Sequence, residues 1–286
     1  MRGKNIVIAP CGNKSFLFRE AWLKDESEKD FDICHLFYHN QIDHPDLYRG
    51  VDFFFHLKNF KYAMLYELLV NIRPEWLNEY EYFYFLDDDI QITTKDINQM
   101  FILAKTFGAS ISQACLSLDS YCSWPIFKRH QNCFLRFVGQ IEVMAPLFHR
   151  DALKICIPSF IDNRSSWGMD SVWSKLLGYP EDKLIIFDSV VMKHTLPVGG
   201  GELYTKLGVN PEDEWHGIIN KYGAKLHNYK EYGRLKSFHI KNNISYRCLN
   251  FFHENSSAVR RNIRDYNIGS RIKNRWNMLL DLKKQQ

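Results

Sequence analysis

Residues 82–89 read Tyr82-Phe83-Tyr84-Phe85-Leu86-Asp87-Asp88-Asp89, and this run decides the fold. Five consecutive aromatic and apolar residues show no polar alternation, so both faces of an extended segment are covered and the strand is central in a sheet. Three carboxylates then stand at its C-terminal end, where open α/β sheets bind their ligands. Residues i and i+2 of an extended chain face the same way. Asp87 and Asp89 can therefore share one object while Asp88 points elsewhere. Two converging carboxylates repel unless a cation lies between them, and hard oxygen ligands suit Mg²⁺ or Mn²⁺. A solvated acidic turn is the competing reading.

Outward from this strand the apolar pattern alternates between strand and helix. Asn5–Pro10 is a short apolar run closed by Pro10 and Gly12, a first strand feeding the loop Cys11–Ser15. Phe31–Tyr38 is a second strand. Between Phe60 and Ile72 the apolar residues fall at 60, 64, 65, 68, 69 and 72, which is helical spacing, and Pro74 stops it. Thr94 can cap a helix whose buried face is Ile97, Met100, Phe101 and Ala104. Ala109–Ala114 and Val138–Met144 read as strands, with Pro146 in the first turn of a following helix. Asp170–Leu177 reads as a helix stopped by Gly178 and Pro180, and Leu184–Ser189 as a late strand. This order predicts an α/β fold around an open, mostly parallel sheet.

The chain has 286 residues, 45% hydrophobic and 24% charged, enough for one large α/β domain without disulfides or a structural metal. Disorder, collagen and coiled coil are excluded as overall readings. No run approaches the roughly 20 apolar residues of a membrane span. The N-terminal apolar run is shorter than the about 7–15 residues of a secretory segment, so a cytoplasmic protein is expected. The seven cysteines form no C-x-x-C pair, which argues against a zinc knuckle and for a reducing compartment.

The net charge of +4 is unevenly placed. Residues 221–286 carry 15 Lys and Arg against 4 Asp and Glu, and the remaining residues carry 22 against 29. The expected organisation is a body over residues 1–205 and a basic, mostly helical extension over 206–286, with the composition shift at Gly199-Gly200-Gly201. Trp276, Met278, Leu279, Leu280 and Leu282 make a short amphipathic helix of 274–284. With the basic residues around it, this segment could meet anionic lipid at the inner membrane surface. A solvated helix packed on the body competes with that reading, and no motif of a nucleic-acid module is present.

Three further stretches can carry chemistry. In Ser165-Ser166-Trp167-Gly168-Met169-Asp170, Asp170 falls in the first turn of a helix, either as a capping acid or as a general base facing a cleft. His194, after Val190-Val191-Met192-Lys193, is either structural or a metal ligand from a second strand. In Gly139-Gln140-Ile141-Glu142, Gly139 allows close approach of another backbone or a ligand. Glu142 within an apolar stretch needs either an arginine partner or a polar cleft.

These pieces, in this order, resemble glycosyltransferases of the type A (GT-A) fold, which implies a single Rossmann-type mixed sheet flanked by helices. They are also similar to a family of plant and bacterial proteins of uncharacterised function. The likeness is carried by Phe85-Leu86-Asp87-Asp88-Asp89, Ile111-Ser112-Gln113-Ala114, Val143-Met144-Ala145-Pro146, Trp167-Gly168-Met169-Asp170, and His194 followed by Pro197 and Gly199. It covers residues 1–205. The resemblance implies a metal-dependent transferase that moves a sugar from a nucleotide-sugar donor, with a UDP-sugar expected, to a glycan or lipid-linked hydroxyl, with inversion. It implies Asp87, Asp89 and His194 as ligands of Mn²⁺ or Mg²⁺, Asp87 also lying near the ribose. Asp170 would deprotonate the acceptor, and Pro10, Gly12, Asp87, Asp88, Glu142, Trp167 and Gly168 would line the donor and acceptor sites. The alternatives are a metal-dependent nucleotidyltransferase or phosphohydrolase, which would hold Mg²⁺ with the same groups, and a non-catalytic sugar-binding protein.

Overall fold

A computed structural model describes residues 4–198, 208, 210–226 and 228–237. The strands are β1 (Lys4–Cys11), β2 (Asp32–Phe37), β3 (Phe53–His56), β4 (Tyr80–Phe85), β5 (Ile90–Gln91), β6 (Ile111–Leu116), β7 (Cys133–Val138), β8 (Leu147–His149), β9 (Leu184–His194) and β10 (Glu231–Lys236). The α-helices are α1 (Lys61–Tyr66), α2 (Trp76–Glu79), α3 (Thr94–Phe107), α4 (Arg150–Cys156), α5 (Met169–Leu176) and α6 (Pro211–Tyr222). The strands lie in the order β10-β7-β9-β6-β8-β4-β1-β2-β3, and the short β5 pairs with β9. Pairing is parallel through β3, β2, β1 and β4 and again between β6 and β9. Strands β8, β7, β10 and β5 pair antiparallel. The sheet is therefore mixed, as the resemblance implies, although the element order alone reads as mostly parallel; helices flank it in an α/β architecture.

Strand β4 is central, between β1 and β8, and Phe83, Tyr84, Phe85 and Leu86 are fully buried. Its backbone pairing continues past Phe85. Leu86 N–H donates to Ile8 O at 3.2 Å and Asp87 N–H to Met144 O at 3.1 Å, so the first carboxylate leaves an ordered ladder.

Four local expectations are revised. The cap of α3 is Thr93, whose hydroxyl accepts from Asp96 N–H at 3.1 Å. Thr94 is turned inward and donates to Trp22 O at 2.7 Å. The apolar stretch at Val138–Met144 is not a strand: β7 ends at Val138, and Gly139–Met144 is a buried loop. The reason lies at Gly139, where a Cβ would come within 2.4 Å of Asn228 O; the close-lying backbone of 228–230 fixes the turn, with Gly139 N–H donating to Lys230 O. Pro146 does not open a helix but precedes β8, and α4 begins at Arg150, capped by the His149 ring. Finally, β9 runs on to His194. Its register against β6 jumps from Ala114↔Phe187 to Cys115↔Val191, leaving Asp188 in the bulge.

Residues 211–236 are integrated into this body. Helix α6 packs on α5, and β10 is the edge strand beside β7. The glycines at 199–201 and the amphipathic segment at 274–284 lie outside the described residues. No described helix is long and apolar enough to cross a membrane.

Candidate active site

The site forms where β4 and β9 end and α5 begins. The extension of β9 is what builds it: β5 pairs Ile90 with His194, which carries the histidine to the acid run. His194 Nε2 lies 3.0 Å from Asp89 Oδ2, and Nδ1 lies 3.0 Å from Tyr121 O. With a carboxylate on one nitrogen and a carbonyl on the other, the ring carries both protons. Burial alone would lower its pKa, but the hydrogen bond and charge of Asp89, with the charges of Asp87 and Glu142, push it up to about 9. Thr195 N–H and its hydroxyl both donate to Asp89 O. The second carboxylate oxygen, Asp89 Oδ1, is buried without a hydrogen bond among the described residues.

The other two acids of the run are engaged differently. Asp87 Oδ1 is 2.7 Å from Lys61 Nζ, and that ammonium also donates to Val143 O at 2.9 Å and Met144 O at 2.8 Å. Burial raises the Asp87 pKa against the pull of Lys61. The lysine thus ties α1, the 139–146 loop and the acid run together. Asp88 points to the opposite side, where its Oδ2 accepts from the hydroxyls of Ser15 and, at 3.3 Å, Tyr38. Burial moves its pKa up to about 6. Gly12 sits in the same corner, its N–H donating to Ser15 Oγ at 2.7 Å and its carbonyl accepting from Tyr48 at 2.7 Å. A Cβ there would stand 2.8 Å from the Tyr38 and His39 rings. Pro10 is buried in β1 opposite Leu36.

Asp170 is buried at the start of α5. It is no N-cap; its Oδ1 accepts from Ser171 N–H at 2.9 Å. Burial lifts its pKa to about 6, opposed by the Gln140 amide and nearby backbone N–H groups. Gln140 is itself fixed, its Oε1 accepting from Ser171 Oγ at 3.1 Å and Asn228 N–H at 3.2 Å. Gly168, with φ of 85°, makes the turn into α5, and Trp215 of α6 packs where its Cβ would be. Trp167 meets the same Trp215 edge to face at 6.0 Å. Glu214 of α6 binds the loop from the other side by accepting from Arg164 and Ser165 N–H.

Glu142 is 7% exposed. Burial, with the charges of Asp170 and Asp87, raises its pKa to about 8 against His194 and Lys128. Among the described residues it has no arginine partner. The buried arginine, Arg136, is paired with Asp188 from the β9 bulge, at 2.7 Å and 3.1 Å.

Asp87, Asp89, His194, Glu142 and Asp170 thus share one electrostatic neighbourhood, while Pro10, Gly12 and Asp88 occupy an adjoining corner at the ends of β1 and β2. Trp167 and Gly168 flank Asp170. Lys61, Ser15, Tyr38, Gln113 and Gln140 were not singled out from the sequence. Of these only Gln113 carried a signal, a long polar side chain inside the strand Ala109–Ala114.

No three His, Cys, Asp or Glu side chains among the described residues form a preassembled metal cage. The donor set nonetheless suits a hard cation held partly by substrate. Asp89 and His194 offer one carboxylate and one imidazole, Asp89 Oδ1 has no hydrogen-bond partner among the described residues, and Mg²⁺-like ions take one or two side chains with phosphates and water completing the shell.

No protein-family model and no curated protein matches the sequence. Among solved structures, the chain is similar to TarS 1–349 of S. aureus in complex with UDP-GlcNAc. The likeness is 13% in identity, covers 79% of this chain and 68% of that one, and has a TM-score of 0.51. It is also similar to GalNAc-T7 with UDP, GalNAc and Mn²⁺, at 9% identity over 76% of this chain and 47% of that one, with a TM-score of 0.52. The chain therefore spans about half the length of the GalNAc-T7 chain. At such identities the likeness is one of fold: a ten-stranded mixed sheet flanked by helices, of the GT-A glycosyltransferase kind.

Proposed function

We propose that the protein is a glycosyltransferase that moves a sugar from a nucleotide-sugar donor to a hydroxyl of a glycan or lipid-linked acceptor. The observation that carries this reading is the pairing of Asp89 with His194 at the end of the central strands, with the buried acid Asp170 nearby on α5. A uridine donor is favoured because both similar structures contain UDP or a UDP-sugar.

Asp89 and His194 would hold a divalent cation, Mn²⁺ or Mg²⁺, together with the donor diphosphate. Such a cation neutralises the charge that builds on the departing nucleotide. Asp88, Ser15, Tyr38 and Gly12 build the adjoining corner for the nucleoside. Lys61 holds Asp87 on the side of the run opposite that corner, where Asp87 would face the cation and the donor's ribose. Asp170 accepts the proton of the acceptor hydroxyl as it attacks. Its raised pKa makes it a stronger base than an exposed aspartate while leaving it mostly ionised at neutral pH. Attack from the side opposite the leaving nucleotide inverts the anomeric centre. The Trp167–Gly168 turn, braced by Glu214 and Trp215, sets the direction of Asp170.

Turnover on a panel of UDP-, GDP-, CMP- and dTDP-sugars with Mn²⁺ or Mg²⁺ tests the reading. Release of free nucleotide together with sugar transfer to an acceptor, both lost in Asp170→Asn, is the expected result. Release of phosphate without sugar transfer would replace this reading with a phosphohydrolase.

A further inference from the structure

Among the buried polar atoms beside the proposed catalytic groups that make no hydrogen bond among the described residues are Asp89 Oδ1, Glu142 Oε2 and Gln113 Nε2. The first is accounted for by the cation reading. The other two are joined, because Gln113 Oε1 accepts from Glu142 N–H at 2.8 Å. That bond fixes which end of the Gln113 amide is the oxygen and leaves its NH₂ group as the free end. Gln113 is fully buried in β6, and Glu142 is more than nine-tenths buried in the Gly139–Met144 loop.

A buried donor or acceptor left unpaired loses its hydration with nothing in return, a heavier loss if the group is charged. Native proteins keep few of them, and each calls for a reason. The buried guanidinium of Arg136 does not serve Glu142; it is bound to Asp188 and to the carbonyls of Ile126 and Lys128. The location supplies a reason. The Glu142 carboxyl feels the charges of His194, Asp170 and Asp87. It thus lies among the group proposed to hold the diphosphate and the group proposed to take the acceptor proton. The transferred sugar has to pass between those two.

We infer that Glu142 and Gln113 form the subsite that reads the hydroxyls of the transferred sugar. The inference rests on the transferase reading. A sugar hydroxyl is both donor and acceptor, and two neighbouring hydroxyls match a carboxylate oxygen beside an amide NH₂: one donates to Glu142 Oε2, the other accepts from Gln113 Nε2. A fully ionised phosphate offers no donor to Glu142 Oε2. The Gly12, Ser15, Tyr38 and Asp88 corner is a separate contact set from the Glu142–Gln113 pair.

The test compares bare nucleotide with nucleotide-sugar. Calorimetry with Mn²⁺ would measure matched pairs (UDP and UDP-sugars, GDP and GDP-sugars, dTDP and dTDP-sugars, CMP and CMP-sugars) on the wild type, Glu142→Gln and Gln113→Met. Glu142→Gln is expected to weaken the nucleotide-sugar about tenfold relative to its effect on the bare nucleotide, the loss of one buried hydrogen bond. Gln113→Met should do the same to a smaller extent. Glu142→Gln should also melt no lower than the wild type, because no protein partner is lost. Equal weakening of nucleotide and nucleotide-sugar in both variants, or no weakening in either, would overturn the inference. So would a lower melting temperature of Glu142→Gln with the ratio unchanged. A wild type that binds no nucleotide of any base would overturn the transferase reading itself, and this inference with it.

Discussion

His194 Nε2 and Asp89 Oδ2 lie 3.0 Å apart although 105 positions separate them in the chain. The two-residue strand β5 makes this meeting, since it follows the acid run immediately and pairs antiparallel with the end of β9. A ring this close to Asp89 would hold a divalent cation together with it. His194→Ala should therefore raise the Mn²⁺ concentration needed for half-maximal turnover by at least about tenfold, the loss that even an outer-sphere partner causes. A metal titration of turnover, with the nucleotide-sugar saturating, reads this directly. An unchanged midpoint would leave His194 as a structural partner of Asp89.

Asp170 sets the expected pH dependence. Its acting form as a base is the carboxylate, and its pKa is near 6. The kcat/KM should rise with pH through about 6 and then level, while Asp170→Asn should lower kcat by about 10²–10⁴-fold. The same shift has a stability consequence. The pKa is higher in the folded than in the unfolded chain, so the ionised carboxyl weakens the fold at neutral pH. Asp170→Asn should accordingly melt at or above the wild-type temperature. Lost activity accompanied by a lower melting point would make Asp170 structural.

The Arg136–Asp188 pair is entirely buried, and Asp188 also accepts from His130 N–H at 2.7 Å. Removing one partner leaves an uncompensated charge in the core. Arg136→Met should cost about 3–5 kcal/mol in urea unfolding. The double variant Arg136→Met/Asp188→Leu should recover much of that loss, since the apolar replacement leaves no charge behind. A double variant as unstable as the single one would show that the pair's contacts to the 126–130 backbone matter more than its charges.

His35, in β2, lies against the Phe18 ring at 4.2 Å. Burial and the charge of Arg19 push its pKa down from 6.5 to about 3. The unfolded chain therefore takes up a proton below pH 6.5 that the folded chain refuses until about pH 3. Its contribution to stability is constant above pH 6.5 and falls as the pH drops through that window, by up to about 1.4 kcal/mol per pH unit. His35→Leu should flatten the acid limb of the stability curve by one proton. Parallel acid limbs for the two proteins would show that His35 is charged in the fold.

Much of this was written in single stretches of sequence. An unbroken aromatic run marks a two-faced strand because only burial on both sides keeps such residues from water, and Tyr82–Leu86 stands where that reasoning puts it. The reading of 138–144 as a strand went astray because apolar residues bury equally well in a loop; what makes it a loop is Asn228 pressed on Gly139, a contact across 89 positions. The length of β9 was illegible because Asp188 and Ser189 interrupt its apolar pattern, and the bulge that accommodates Asp188 exists only with Arg136 behind it. Glu142 was visible as a costly residue, but its missing partner was not. Strand β10 and helix α6 are half-exposed, so their patterns are too weak to read without the neighbours that cover one face.

The central claim, a nucleotide site completed by a cation on Asp89, is tested most directly by thermal shift of the purified chain. The ligands are UDP, UDP-GlcNAc and the GDP, CMP and dTDP counterparts, each with and without Mn²⁺, beside Asp89→Ala. Ligand bound only by the folded state raises the melting temperature by mass action. The account predicts a shift with one nucleotide base that requires Mn²⁺ and is lost in Asp89→Ala. Stabilisation by Mn²⁺ alone with no response to any nucleotide, or a nucleotide shift that Asp89→Ala retains in full, would contradict it.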